Sequence, residues 1–137
     1  MGILASELPD QVGDEEDLAR FLTQSSQFNA TMAKPAAFLP SPQDQETSVA
    51  RHGRQPLEGL WAIGLAAAGA RPLYGAAVFK ARAVRCAQLE VLADEPPPRH
   101  AVIRGWPWSE TDPELQKAKR KELAALIASA AGKPVLR

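Results

Sequence analysis

The chain has 137 residues, 45% of them hydrophobic and 23% charged, with sixteen bases balanced by sixteen acids. That length and composition exclude a largely disordered chain and point to one modest hydrophobic core. A single cysteine, Cys86, excludes an internal disulfide and a cysteine-rich zinc site and points to a reducing compartment.

The zero net charge conceals an asymmetry. Residues 1–50 carry eight acids and two bases, whereas residues 51–137 carry fourteen bases and eight acids. Either the acidic part lies against the basic part, or the basic part presents a face to an anionic partner such as nucleic acid or an acidic protein surface. The near-neutral isoelectric point speaks against a dedicated nucleic-acid binder.

Residues 1–13 have neither a basic leader nor a long apolar stretch, and the longest apolar run, LAAAGA, is far too short to span a bilayer. They are expected to form a flexible lead-in to a single domain over 14–137, in a cytoplasmic protein with no membrane association. A short helix is predicted from Asp14, with Glu15, Glu16 and Asp17 at its positive end and Leu18, Phe21 and Leu22 on one face. The proline-rich stretch 23–48 is read as mostly loop with short extended pieces, anchored by Phe28 and Phe38.

TSVARH reads as a strand leading to a turn at Gly53. The next helix, PLEGLWAIGLAAAGA, starts with Pro56 and is stopped by Gly69. Its predicted inner face is Leu57, Leu60, Trp61, Gly64, Leu65 and Ala68, with Gly64 permitting close approach. The segment from Leu73 to Glu95 reads either as a strand around Val78 and Phe79, one helical turn or a bend at RAVRCA and a strand at QLEVL, or as one continuous alanine-rich helix; the first is expected. Three prolines then force an extended loop before the strand HAVIRGW. The last helix is capped by Asp112, begins at Pro113 and ends at Gly132. Leu115, Lys119, Glu122, Leu123, Leu126, Ile127 and Ala130 share its predicted packed side. The elements together define an α+β domain, a small sheet packed against a middle and a C-terminal helix.

Two segments carry candidate chemistry. In PPPRHAVIRGWPW, a stiff loop holds His100 between Arg99 and Arg104, with Trp106 and Trp108 beyond. His100 is either a working group or a packed residue bonded to a carbonyl. In SVARHGR, Ser48, Arg51, His52 and Arg54 offer a second imidazole and further cations. His52 and His100 with Arg51 would suit metal-independent RNA cleavage, which needs a base, an acid and a cation at the charged transition state. Lys117, Arg120 and Lys121 add charge on the last helix. No metal-ligand spacing or phosphate-cradling glycine loop is present, so no metal and no cofactor are expected. Cys86 is read as a small core residue.

The segments RFLTQSSQF, KPAAFLP, TSVARH, PLEGLW, LYGAAVF and PPPRHAVIRGWP resemble a group of small uncharacterised bacterial proteins met among mobile-element or phage-defence genes. The resemblance spans roughly residues 18–108. It implies an interaction component of a larger bacterial system and brings no catalytic residue with it. The expectation is therefore an accessory module that binds a protein partner, with Arg99, His100, Arg104, Trp106, Trp108, Lys117, Arg120 and Lys121 as its binding residues. The alternatives are the ribonuclease or toxin-like enzyme using His52 and His100, and a regulator that binds nucleic acid without catalysis.

Overall fold

The computed structural model describes residues 2–52 and 55–137, so the expected turn at Gly53 and the side chain of Arg54 lie outside the described residues. In chain order the elements are β1 (Asp17–Leu22), β2 (Thr47–Arg51), α1 (Leu57–Ala68), β3 (Gly75–Lys80), α2 (Ala81–Cys86), β4 (Glu90–Ala93), β5 (His100–Arg104), α3 (Pro113–Ala131) and β6 (Val135–Leu136). Two single 3₁₀ turns, Ser25–Gln27 and Pro35–Ala37, lie between β1 and β2. The strands form one antiparallel sheet in the order β4-β5-β2-β1-β3-β6, giving the α+β fold that the periodicities indicate.

The first element corrects the sequence expectation: Asp17–Leu22 is a strand near the middle of the sheet, not a helix. A strand covered on both faces has no polar alternation, so apolar residues at 18, 21 and 22 mimic a helical stripe. Leu18 and Leu22 enter the main core, while Ala19 and Phe21 turn to the opposite face. The four acids ahead of it do not sit at a helix terminus. Asp14 pairs with Arg85, Glu15 with Arg82, Glu16 with Arg51 and Asp17 with Lys80. For this run the acidic part of the chain lies against the basic part.

The main core lies between one sheet face and α3, α2 and the second 3₁₀ turn. Val49, Phe79, Ile103 and Trp106 meet Phe38, Ala124, Ile127 and Ala128 there. Phe38 packs edge-on against Phe79, with ring centroids 5.5 Å apart. Thr47 is buried and donates its hydroxyl to the Phe38 carbonyl at 2.7 Å, tying the long connection to β2. Phe28, the other expected anchor, is half-buried and touches Tyr74.

α3 starts where its cap predicts: the Asp112 carboxylate accepts from the Leu115 amide at 3.0 Å. Its packed side differs from the one expected. Ala124, Ile127 and Ala128 are buried, whereas Leu115 and Leu126 are exposed. KELAALIASAA contains two overlapping stripes, and close approach to a 3₁₀ turn favours the alanine one. α1 packs on the sheet through Leu60, Gly64 and Ala68 as expected, but Leu57 and Leu65 of the expected face are exposed. A side chain on Gly64 would lie 2.7 Å from the Phe21 ring, which is the close approach this glycine permits. Cys86 is exposed rather than core, because the single-turn helix α2 buries Ala81 and Val84 instead.

α1 covers the second sheet face over β1 and β3 only, through Leu60 and Trp61 on Ala19, Ala76 and Val78. The corresponding face of β2, β5 and β4 carries no helix. No helix of the described residues is long and apolar enough to cross a membrane.

Candidate functional site

The uncovered half of the second face meets α1 along a cleft. Ladder register assigns its floor. Val49, Ala101 and Ile103 belong to the main core, so alternation sends Ser48, Ala50, His100, Val102 and Arg104 to the other side. Ser48 stands opposite Val102, and Ala50 opposite His100.

β1 and β2 separate at this point. They pair at Leu18 with Arg51 and at Ala19 with Ala50, whereas β1 stays paired with β3 as far as Leu22. Arg20 fills the split. Its Nε donates to the Ala37 carbonyl at 2.7 Å and its Nη1 to the Ser48 carbonyl at 2.9 Å, replacing part of the missing ladder. At the far end of α1, Arg71 donates to the Ala68 and Ala67 carbonyls, each at 3.1 Å, and satisfies the helix terminus.

Arg71 and Arg20, the latter leaving β1 on the same side as Leu18 and Leu22, both line a cleft of about 700 Å³ at the split between β1 and β2. One wall is the Ala62, Ile63, Ala66 and Ala67 side of α1, and the other is Pro97, Pro98 and His100. Among the described residues neither arginine is paired with a carboxylate. Each guanidinium has five N–H donors, and among the described residues the Nη2 of Arg20 and the Nη1 of Arg71 have no acceptor. Burial lowers the Arg20 pKa and the neighbouring Arg71 charge lowers it further. The site therefore concentrates positive charge in a partly apolar enclosure.

Of the candidate residues within the described part of the chain, His100 and Ser48 line this cleft. The His100 Nδ1 lies 2.9 Å from the Asp94 carbonyl and 3.1 Å from the Asp94 carboxylate, which fixes the ring and leaves Nε2. His52 is near in the backbone, since Arg99 Nη1 donates to the Arg51 and His52 carbonyls. Its ring is not part of the cleft wall, and Nδ1 is buried with no partner among the described residues. Arg51 has no exposed surface. Glu16 and the carbonyls of Pro9 and Gln11 take its donors.

The other predicted binding residues do not converge. Trp106 is buried in the core, and Trp108 is 63% exposed with the Arg120 guanidinium 6.0 Å from its ring. Arg120 also donates to the Pro107 carbonyl and to Gln45, and burial lowers its pKa. Lys117 and Lys121 are exposed on α3, which packs on the face away from the cleft. Arg104 points to the cleft side of the sheet, opposite Glu90 in the ladder. Arg99 is half-buried at the end of the proline loop.

Residues 2–12 lie against this end of the domain. Ser6 donates through its hydroxyl and its amide to Glu95, Arg51 reaches Pro9 and Gln11, and Val12 enters the core. Desolvation raises the Glu95 pKa, but the bonds from Ser6 and the Arg99 amide, with the Arg51 charge, outweigh it and hold the carboxyl below its ordinary value.

Arg20 and Arg71 were not singled out by the sequence. In a helical reading of LARFL, Arg20 falls on the solvent side, and only its position amid four apolar residues marks it. No protein-family model, curated protein or solved structure matches the chain.

Proposed function

We propose that this chain is a non-catalytic binding module that takes an anionic group into the cleft between α1 and the proline loop. The observation that carries the reading is the pair Arg20 and Arg71, two guanidiniums bound to carbonyl oxygens, without a carboxylate partner among the described residues and with donors left over. Guanidinium forks bind carboxylate and phosphate through paired, charge-assisted bonds. The site is held on strands and a helix, so binding would cost little ordering entropy.

Binding rather than cleavage is supported by the distribution of the expected catalytic groups. RNA cleavage by two imidazoles needs both at one scissile bond. Here His100 alone lines the cleft, and Arg51 is held by Glu16.

Thermal unfolding at constant ionic strength tests the reading. Replacing chloride with inorganic phosphate should raise the midpoint of the wild type and leave Arg71→Leu unmoved, because a ligand stabilises only the state that binds it. Equal responses of the two proteins would remove the cleft as the anion site. Time-dependent RNA cleavage lost in His100→Ala would replace the binding reading with the enzymatic one.

A further inference from the structure

Building on the anion-binding reading, we propose that the anion is one end of a small organic molecule with a flat apolar body, which lies between the Ala62, Ala66 and Ala67 side of α1 and the Pro97–Pro98 turn and places its carboxylate or phosphate on Arg20 and Arg71.

The size of the cleft argues for more than an acidic side chain. A water takes about 30 Å³, so a carboxylate head of three heavy atoms fills on the order of a tenth of the 700 Å³ available. That volume falls within the range of about 300–1,000 Å³ typical of small-molecule sites.

The walls argue for the shape of the remainder. Alanines at 62, 66 and 67 leave that side of α1 nearly flat, and all three are exposed. Proline rings form a second flat aliphatic surface across the slot. Ile63 and Phe21 extend the apolar lining, and its polar residues are Arg20, Thr23, Ser48, Arg71 and His100. Apolar walls with a few convergent polar groups fix the orientation of a ligand that has one charged end.

An extended polyanion fits less well. It needs a track of cations, yet Lys117 and Lys121 are exposed on the helix that packs on the other sheet face. Stacking of successive bases needs a row of aromatic rings, and among the described residues the lining offers only Phe21 and the imidazole of His100.

Calorimetric titration of the full chain decides the matter, with inorganic phosphate, adenosine monophosphate, uridine monophosphate, indole acetate and a glutamate-rich peptide as probes. At least one of the three organic anions should bind about tenfold or more tightly than inorganic phosphate, since the apolar body adds burial to the same ionic contact. The nucleotides and the indole carboxylate separate a phosphate head from a carboxylate one. Arg20 braces two strands and its loss can unfold the domain, so the decisive variant is Ala67→Trp, which fills the slot from an exposed helix position. With a wild-type circular dichroism spectrum, it should weaken the organic anion by about tenfold or more, and by at least about fivefold more than it weakens inorganic phosphate; equal losses for the two would overturn the inference. Phosphate binding that no organic anion improves would overturn this inference and leave the anion-binding reading standing. Tightest binding by the peptide would overturn it in favour of a protein partner. Absence of binding by every probe would overturn both.

Discussion

Arg51, with no exposed surface, holds Glu16 through two parallel bonds, Nε to Oε1 at 2.8 Å and Nη2 to Oε2 at 2.9 Å. Its Nη1 reaches the Pro9 carbonyl and its Nη2 also reaches Gln11, so one buried side chain joins β2, the lead into β1 and the N-terminal segment. Removing one partner of a buried pair leaves the other charged and unsatisfied. Arg51→Met is expected to cost about 3–5 kcal/mol, and Arg51→Met with Glu16→Leu less than Arg51→Met alone. Urea unfolding of the single and double variants checks this, and an additive loss would mean the two groups are not coupled.

Trp106 and Trp108 are two residues apart and differ about tenfold in exposure, at 6% and 63%. Trp106→Ala should cost about 3–5 kcal/mol through the cavity it leaves. Trp108→Ala removes an exposed cation–π contact with Arg120 and should cost about 0.5–1 kcal/mol. Denaturant midpoints that fall equally in both variants would contradict the placement of the loop.

β2, β3, β4 and β5 and the cap of α3 were legible in the sequence because each rests on local chemistry, as with Asp112 ahead of Pro113, whereas the two-residue strand β6 was too short to leave a pattern. β1 was not legible, because a strand buried on both faces loses the period that identifies strands. The packed side of α1 was legible at Leu60, Gly64 and Ala68 and that of α3 at Ile127, but the stripes were drawn too wide: Leu57, Leu65 and Leu126 are exposed, and α3 makes its close contact through Ala124 and Ala128, which an apolar-leucine stripe passes over. The cleft was least legible of all. It depends on where β1 and β2 part and on α1 covering only half of a face, and neither relation is local. Of the candidate residues within the described part of the chain, only His100 and Ser48 reach it.

Glu95 gives the fold an acid-sensitive component. Its carboxyl is held below the ordinary value, so its contribution is complete above the unfolded pKa, near 4.5, and disappears as the pH falls through the lower folded value. The stability difference between wild type and Glu95→Ala should be constant from neutral pH down to about 5 and should shrink below that. A difference that persists at pH 3, or one that grows on acidification, would show that the Ser6 bonds do not favour the ionised carboxylate.

The basic run of α3 serves as the control for the site. Lys117→Glu with Lys121→Glu reverses two exposed charges on the helix that packs away from the cleft. At about 0.15 M salt the screening length is about 8 Å, so phosphate affinity at the cleft should change by less than about twofold. A larger loss in calorimetric titration would move the anion site to α3.

Amide chemical-shift mapping during a phosphate titration asks the central question directly, whether the cleft is where the protein meets an anion. The anion-binding reading expects saturable shifts confined to Arg20, Phe21, Ser48, Ala66 to Arg71 and His100, and their disappearance in Arg71→Leu. Shifts centred on Lys117 to Lys121 and Trp108, or a spectrum that phosphate leaves unchanged, would contradict it.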